Sequence, residues 1–269
     1  MILSCHRVGE LSVRISIVRS EKIESTGALF FGKKKKRSVR ADMSNPIAGL
    51  TKKEWGAWIG SLLIIIISNL LSGSCDPLTL IAACIGVTSL IFAAKGNVWS
   101  QILMIIFSIL YGIISWQFRY WGEMITYLGM TMPMAIWSTV TWIKNPSEGG
   151  KEVEIQKLTK KHVVLLLVGA VVVTTLFYMI LSALNTPNIV FSTISVTTSF
   201  FAASLTMLRS SYYAVGYAAN DIVLIVLWIL ASINDLRYLA VTVIFVIFFF
   251  YDVYGFISWK KRENISLGD

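Results

Sequence analysis

The residues of this chain that could do chemistry are polar groups embedded in long apolar segments. Two carboxylates, Asp221 and Asp252, lie deep within such segments, and Asn220 precedes the first of them. An ionisable side chain in a bilayer costs on the order of 3 kcal/mol and normally faces a bundle interior or a water-filled cavity. The alternative role of such groups is an interhelical hydrogen bond. We favour a ligand site for Asn220 and Asp221, whereas Asp252, beside Tyr251 and Tyr254, fits both roles.

Asn220 and Asp221 belong to a polar and aromatic stripe on one predicted helix. Steps of three and four residues place on a single face Tyr213, Tyr217, Asn220, Asp221, Leu224 and Trp228. An amide and a carboxylate can bind ribose hydroxyls, and aromatic rings can sandwich a flat heterocycle, with a cation–π gain if it is charged. The stripe therefore predicts a site for such a ligand, with Asp252 and Trp116 as further candidates. Glu123 stands at a predicted span end and is interpreted as interfacial.

Eight apolar segments must position these groups. Each is close to 20 residues, long enough for a helix to cross about 30 Å of hydrocarbon. The clearest pair lies between Asn97 and Trp142, where tryptophans and tyrosines gather near the ends, as is typical of a membrane interface. The predicted spans are 55–72, 78–94, 98–118, 121–143, 163–184, 190–208, 212–231 and 237–259.

The positive charges predict how these spans are oriented. One side receives Arg119 and Arg237, whereas the other receives the larger groups, which are Lys33 to Arg40, Lys52, Lys53, Lys95, the loop from Lys144 to Lys161, Arg209 and Lys260 to Arg262. By the positive-inside rule the second side is cytoplasmic. Both termini are then cytoplasmic, in a multi-pass protein of the plasma membrane.

Composition excludes several function classes. Hydrophobic residues make up 55% of the chain and charged residues 14%, whereas charged residues supply about a quarter of an ordinary soluble domain. The net charge of +9 follows membrane topology, so a nucleic-acid partner is not expected. Three cysteines and two histidines, widely scattered, indicate no disulfide framework, metal site or cofactor.

Aromatic residues repeat at a constant offset of 117 positions, which pairs Tyr111 with Trp228, Trp121 with Tyr238 and Trp142 with Trp259. Spans two to four then correspond to spans six to eight in the same orientation, without a gap. This predicts two parallel three-helix repeats, related by a pseudo-twofold axis along the membrane normal.

The predicted organisation has six parts. Residues 1–42 form a basic segment, interpreted as an over-extended start or as an arm for anionic lipid. An N-terminal transmembrane helix follows at 43–75, and the first three-helix repeat at 76–144. A cytoplasmic loop and linker helix occupy 145–188, the second repeat 189–262 and a cytoplasmic tail 263–269.

The chain resembles the PnuC family of nicotinamide riboside transporters from about Met43 to Arg262. The matching segments are GNVWSQILMIIFSILYGIISWQFRYWGEMITYLGMTMPM, AANDIVLIVLW and YGFISWKK. The resemblance implies an all-α, SWEET-like bundle of two three-helix repeats joined by a linker helix, with an additional N-terminal helix here. It also implies facilitated diffusion of nicotinamide riboside through alternating access, commonly by a homotrimer. A cytoplasmic ribosylnicotinamide kinase would trap the imported nucleoside.

The resemblance also implies which helix contacts substrate. The family's polar position is matched by Asn220, but the Trp-x-x-Trp pair that many members carry is replaced by Tyr213 and Gly216. Tyr213 and Tyr217 therefore become the candidates to stack on the pyridinium ring. Two alternatives remain open, namely a SWEET-type sugar or other vitamin transporter, and a membrane-embedded enzyme or receptor that uses Asp221 and Asp252.

Overall fold

The computed structural model describes residues 46–71, 76–186, 188–233 and 235–268, and these are almost wholly helical. A 3₁₀ turn (Pro46–Gly49) leads into the first helix. The α-helices are α1 (Lys52–Leu71), α2 (Pro77–Ala94), α3 (Trp99–Gln117), α4 (Trp121–Thr126), α5 (Met132–Lys144), α6 (Lys160–Ala183), α7 (Ile189–Met207), α8 (Tyr213–Ser232) and α9 (Leu239–Gly268). A π-helical segment (Tyr127–Thr131) joins α4 to α5, and a 3₁₀ turn (Leu236–Tyr238) precedes α9.

Seven of the predicted spans are confirmed as continuous helices, each long and apolar enough to cross a membrane. The span predicted at 121–143 is interrupted, because α4, the π-helical segment and α5 follow one another from Trp121 to Lys144. The predicted all-α, polytopic fold class is therefore confirmed, with one broken helix. The basic segment predicted at 1–42 lies outside the described residues.

The interruption has a local cause in the proline of α5. Pro133 has no backbone N–H, and its ring would clash with the carbonyl of Gly129 four residues earlier in a regular α-helix. A π-helical turn, with its wider hydrogen-bond spacing, accommodates both effects. The π-helical segment begins at Tyr127, which is buried.

The central part of the bundle is a closed ring of helices. Neighbours in the ring contact one another in the order α2, α3, the broken helix α4–α5, α7, α8, α9 and back to α2. Helix α1 lies outside the ring against α2 and α9, whereas α6 lies outside it against α7 and α4. Large apolar side chains of α1 and α6 are exposed, as expected of helices that face lipid.

The end of the bundle that carries Lys95, Lys144, Arg209 and Lys260 is called the basic end here. The loop between α5 and α6 crosses this end and binds both halves of the ring. The Val153 amide donates to Gly96 O at 2.9 Å, and the Gln156 amide donates to Arg209 O at 3.0 Å. Gly96 and Arg209 both have left-handed backbones, with φ of 68° and 55°, at the ends of α2 and α7.

Matched contacts join the two halves at the basic end. The Trp142 indole donates to Thr206 O at 3.0 Å, and the Trp259 indole donates to Ala93 O at 2.8 Å. The sequence offset between the halves is not constant, however. The two donors, Trp142 and Trp259, lie 117 positions apart, whereas their acceptors, Ala93 and Thr206, lie 113 apart. A repeat alignment thus needs a gap of one helical turn. The two-repeat architecture stays a prediction, and these contacts support it.

Candidate binding site

Asn220 lies at the centre of a buried cluster of hydroxyl groups. Three side chains of α7 point their hydroxyls at Asn220 Oδ1, namely Ser195 at 3.2 Å, Thr198 at 2.9 Å and Ser199 at 3.0 Å. An amide oxygen has two lone pairs, so three donors cannot all be accommodated well at once. Two of these hydroxyls have a second acceptor within reach, Glu123 Oε1 for Ser195 and Ile194 O for Thr198.

Glu123 belongs to the same cluster, although its sequence position suggested an interfacial residue. Its side chain is 1% exposed, and Ser195 Oγ lies 3.0 Å from Glu123 Oε1. Gly122 allows this burial because a Cβ at this position would lie 3.0 Å from Leu181 Cδ2 and 3.5 Å from Ser192 Cβ, where α4 packs against α6 and α7. The interfacial interpretation was wrong, because packing of α4 rather than position along the span decides exposure.

A second buried group contains the two membrane aspartates. Asp221 and Asp252 are each 3% exposed, and their side chains lie within interaction distance of each other across α8 and α9. Tyr127, in the π-helical segment, lies within electrostatic range of Glu123, Asp221, Tyr217 and Asp252. Tyr127 is therefore within electrostatic range both of this aspartate pair and of Glu123 in the cluster around Asn220.

The stripe predicted on α8 faces inward as a single surface. Tyr217 is half-buried, and the other members, Tyr213, Asn220, Asp221, Leu224 and Trp228, are buried. The stripe spans the full height of the bundle, however, so only its middle reaches the hydroxyl cluster.

The two ends of the stripe join aromatic clusters at opposite ends of the bundle. Tyr213 packs against Trp259 at the basic end, with ring centroids 4.7 Å apart. Trp228 donates to Tyr111 Oη at 3.0 Å near the opposite end and packs against Tyr120, with ring centroids 4.8 Å apart. Neither Tyr213 nor Trp228 is brought to Asn220 by these contacts.

These aromatic clusters close the bundle above and below the polar groups. At the basic end Trp142 and Trp259 are fully buried, with ring centroids 5.6 Å apart. At the opposite end Trp228 is fully buried, with Tyr238 5.6 Å away between ring centroids. The polar groups thus lie between two buried aromatic clusters, which are called closures here.

Trp116 lies away from this interior. Its side chain is 58% exposed on α3, and its ring contacts Trp121 with centroids 5.0 Å apart. The structure therefore does not bring Trp116 to Asn220 or to the aspartate pair.

Gly216 stands at the second tryptophan position of the Trp-x-x-Trp pattern, and helix packing leaves no room there for a ring. A Cβ at Gly216 would lie 2.8 Å from Ala202 Cα, so α7 and α8 approach too closely here for any side chain. This contact holds Asn220, one turn further along α8, against the hydroxyls of α7.

Sequence reasoning missed five residues of this site, which are Glu123, Tyr127, Ser195, Thr198 and Ser199. One available signal was the spacing of Ser192, Ser195 and Ser199, which places three buried serines on one face of α7. Small hydroxyl residues in membrane helices are also common at ordinary packing contacts, so that signal alone does not mark a ligand site.

The arrangement combines several kinds of polar group with aromatic rings. It offers amide, hydroxyl, carboxyl and aromatic groups, whereas among the residues described here no group of three or more His, Cys, Asp or Glu side chains could hold a metal ion. Such a site can hold the hydroxyls and the flat ring of a small polar molecule.

Comparison with known proteins gives consistent matches. A family model described as nicotinamide mononucleotide transporter matches residues 76–261. The nicotinamide riboside transporter PnuC of Neisseria mucosa is 26% identical over 186 residues, which are 67% of this chain and 71% of that protein. The PnuC protein of the same description from Haemophilus influenzae is 25% identical over 186 residues, which are 68% of this chain and 79% of that protein.

A solved structure shares the fold. The crystal structure of the vitamin B3 transporter PnuC superposes with a TM-score of 0.68 at 24% identity, covering 79% of this chain and 92% of that chain. The family match begins at the start of α2, so α1 lies outside it. Because the match from 76 to 261 takes in the whole ring of helices and more than half of the chain, this protein belongs to the nicotinamide mononucleotide transporter family.

Proposed function

We propose that this protein imports nicotinamide riboside across the plasma membrane by facilitated diffusion through alternating access. The observation that carries the proposal is the buried cluster in which three hydroxyls of α7 converge on Asn220 Oδ1 between two aromatic closures. The names of the relatives from Neisseria mucosa and Haemophilus influenzae support the substrate. The family is one of transporters, so the protein is not an enzyme.

The cluster provides the groups that a pyridine nucleoside needs. Asn220 and the hydroxyls of Ser195 and Thr198 can exchange hydrogen bonds with the ribose hydroxyls, replacing bonds that they now make to one another. Tyr127 lies within electrostatic range of Tyr217 and of the buried carboxyl groups, and both rings can stack on a cationic pyridine. Tyr213 remains a candidate only if the basic end opens around the substrate.

Charge favours the nucleoside over the nucleotide that the family description names. The interior contains the carboxyl groups of Glu123, Asp221 and Asp252, and within the described residues none of these forms a salt bridge. A phosphate would therefore leave water for a site in which no salt-bridged cation accompanies these carboxyl groups, and burial of an unpaired charge opposes binding. Nicotinamide mononucleotide is accordingly expected to be excluded.

Transport then requires that the two aromatic closures open in turn. We propose that opening around Trp142 and Trp259 exposes the site to the cytoplasm, and that opening around Trp228 and Tyr120 exposes it to the outside. Both termini are proposed to be cytoplasmic and the assembly to be a homotrimer. A cytoplasmic ribosylnicotinamide kinase would keep uptake favourable by removing free nucleoside.

Ligand-induced stabilisation of the purified protein tests this proposal. We expect nicotinamide riboside at 100 times its Kd to stabilise the folded state by about 2.7 kcal/mol, whereas nicotinamide, nicotinamide mononucleotide, thiamine and glucose leave it unchanged. In proteoliposomes, labelled nicotinamide riboside should equilibrate to the external concentration and no further, with or without an imposed pH gradient. Stabilisation by glucose or thiamine alone would instead support a sugar or other vitamin transporter.

A further inference from the structure

Glu123 has an unsatisfied oxygen in the interior of the bundle. Its side chain is 1% exposed, and Ser195 Oγ lies 3.0 Å from Oε1, but Oε2 is buried without a hydrogen-bond partner among the described residues. A buried carboxyl oxygen that lacks a partner costs free energy comparable to a lost hydrogen bond, and more when the group is charged. A ligand that offers Oε2 a partner would remove that cost.

Within the described part of the chain, Glu123 forms no salt bridge with a positively charged side chain. The salt bridges of the described residues all lie at the ends of the bundle, between Lys95 and Glu54, Arg237 and Asp235, Lys260 and Glu263, and Arg262 and Glu152. Arg119 is close in sequence, but its side chain is exposed. The described residues thus include a carboxyl group in the bundle interior that has no salt-bridge partner among them.

The groups that face Glu123 are aromatic or hydroxylic. Tyr111, Tyr120 and Tyr127 lie within electrostatic range of it, and Ser195 contacts it from α7. Rings around a carboxyl group form a natural cage for a flat cation, because the ring faces attract positive charge as the carboxylate does. Asp221 and Asp252 lie within electrostatic range of the same Tyr127 ring.

Glu123 is also within reach of a ligand held by Asn220. The Ser195 hydroxyl lies 3.0 Å from Glu123 Oε1 and 3.2 Å from Asn220 Oδ1, so one hydroxyl separates the two side chains. A nucleoside whose ribose replaces Ser195 at Asn220 would therefore place its base near Glu123. We propose that Glu123 is the charge-selecting residue of the site, supplying the counter-charge for a positively charged heterocycle and discriminating against its uncharged form.

This inference rests on the proposed function. It is tested by varying the charge at residue 123 and the charge of the ligand in the same set of binding measurements. Nicotinamide riboside carries a positive pyridinium, and its dihydro form has nearly the same shape without the charge. Binding of both is measured by calorimetry on wild type, Glu123→Gln, Glu123→Asp and Glu148→Gln. The last variant removes one carboxylate from an exposed loop and serves as the matched control.

We expect Glu123→Gln to weaken nicotinamide riboside binding by roughly 10- to 100-fold, the range for losing a charged partner, and to change dihydro binding by less than about threefold. Glu123→Asp should recover part of the discrimination, and Glu148→Gln should bind both ligands as the wild type does. Equal weakening of both ligands by Glu123→Gln, or unchanged affinity for the charged one, would overturn the proposal.

The wild type alone separates this inference from the proposed function. If the wild type binds nicotinamide riboside and its dihydro form within about threefold of each other, charge selection is refuted while nucleoside transport stands. This comparison also tests charge selection if the Glu123→Gln protein does not fold. If the wild type binds neither ligand, the proposed function fails, and the inference fails with it.

Discussion

At the scale of single residues, the site depends on Asn220 because its amide organises the hydroxyls of α7. Its side chain is 1% exposed and lies next to Asp221 on the inward face of α8. The α7 hydroxyls would lose their common acceptor if the amide were removed, and a bound ribose would lose a hydrogen-bonding group. Asn220 makes contact between helices and is also proposed to bind the ligand, and the two roles can be separated by measurement.

We expect Asn220→Ala to weaken nicotinamide riboside binding by about 1 to 3 kcal/mol, the usual cost of leaving a buried polar partner unpaired. Calorimetry on the purified variant, normalised to its folded fraction, measures this loss. Asn145→Ala is the matched control, because its amide donates to Thr141 O at the basic end, away from the site. Unaltered affinity together with lower detergent stability would assign Asn220 to helix packing only.

At the scale of elements, the close approach of α7 and α8 brings the two sides of the site together. Gly216 makes this approach possible, because the backbone of Ala202 occupies the space of a side chain at that position. The broken helix contributes from the other side, since Pro133 favours the π-helical segment that carries Tyr127. Neither feature contacts Asn220 itself, yet both position groups that surround it.

We expect Gly216→Ala to lower stability by about 1 to 3 kcal/mol, because the new Cβ would lie 2.8 Å from Ala202 Cα and force the helices apart. Thermal unfolding in detergent measures this change, and substrate affinity should fall with it. Gly60→Ala on α1 is the control, since a Cβ there meets nothing within 4 Å. A Gly216→Ala protein as stable as wild type would contradict the proposed role of the close approach.

At the scale of the whole molecule, the basic residues and the loop between α5 and α6 lie at one end of the ring. Arg262 Nη1 donates to Glu152 Oε2 at 3.0 Å, and Arg209 Nη2 donates to Gln156 Oε1 at 2.8 Å, so this loop is held to both α9 and the turn after α7. A loop that joins both halves must move or deform when that end opens. The side of the membrane on which this loop lies therefore tells which of the two closures faces the cytoplasm.

Labelling with a membrane-impermeant maleimide tests the orientation. In a variant without native cysteines, we expect Leu236→Cys, at an exposed position of the opposite end, to react in intact cells. Lys151→Cys and Lys261→Cys, both exposed at the basic end, should react only after permeabilisation because positive loops remain in the cytoplasm. Reaction of Lys151→Cys in intact cells would contradict the proposed orientation.

The sequence by itself determined the features that depend on local periodicity and composition. The apolar lengths predicted eight spans, of which seven are continuous helices in the structure. Steps of three and four predicted that Tyr213, Asn220 and Trp228 share an inward face. These predictions succeeded because helix geometry fixes which residues of one span share a face, whatever the partner helix is.

Only the tertiary structure decided which inward-facing residues meet. Glu123 is buried because α4 packs against α6 and α7, and the hydroxyls of Ser195, Thr198 and Ser199 converge because Gly216 admits the backbone of α7. Likewise Tyr213 and Trp228, on one face in sequence, separate into closures at opposite ends because a helix of 20 residues spans the bundle. Contacts between distant segments depend on packing of whole helices, which periodicity within one span does not encode.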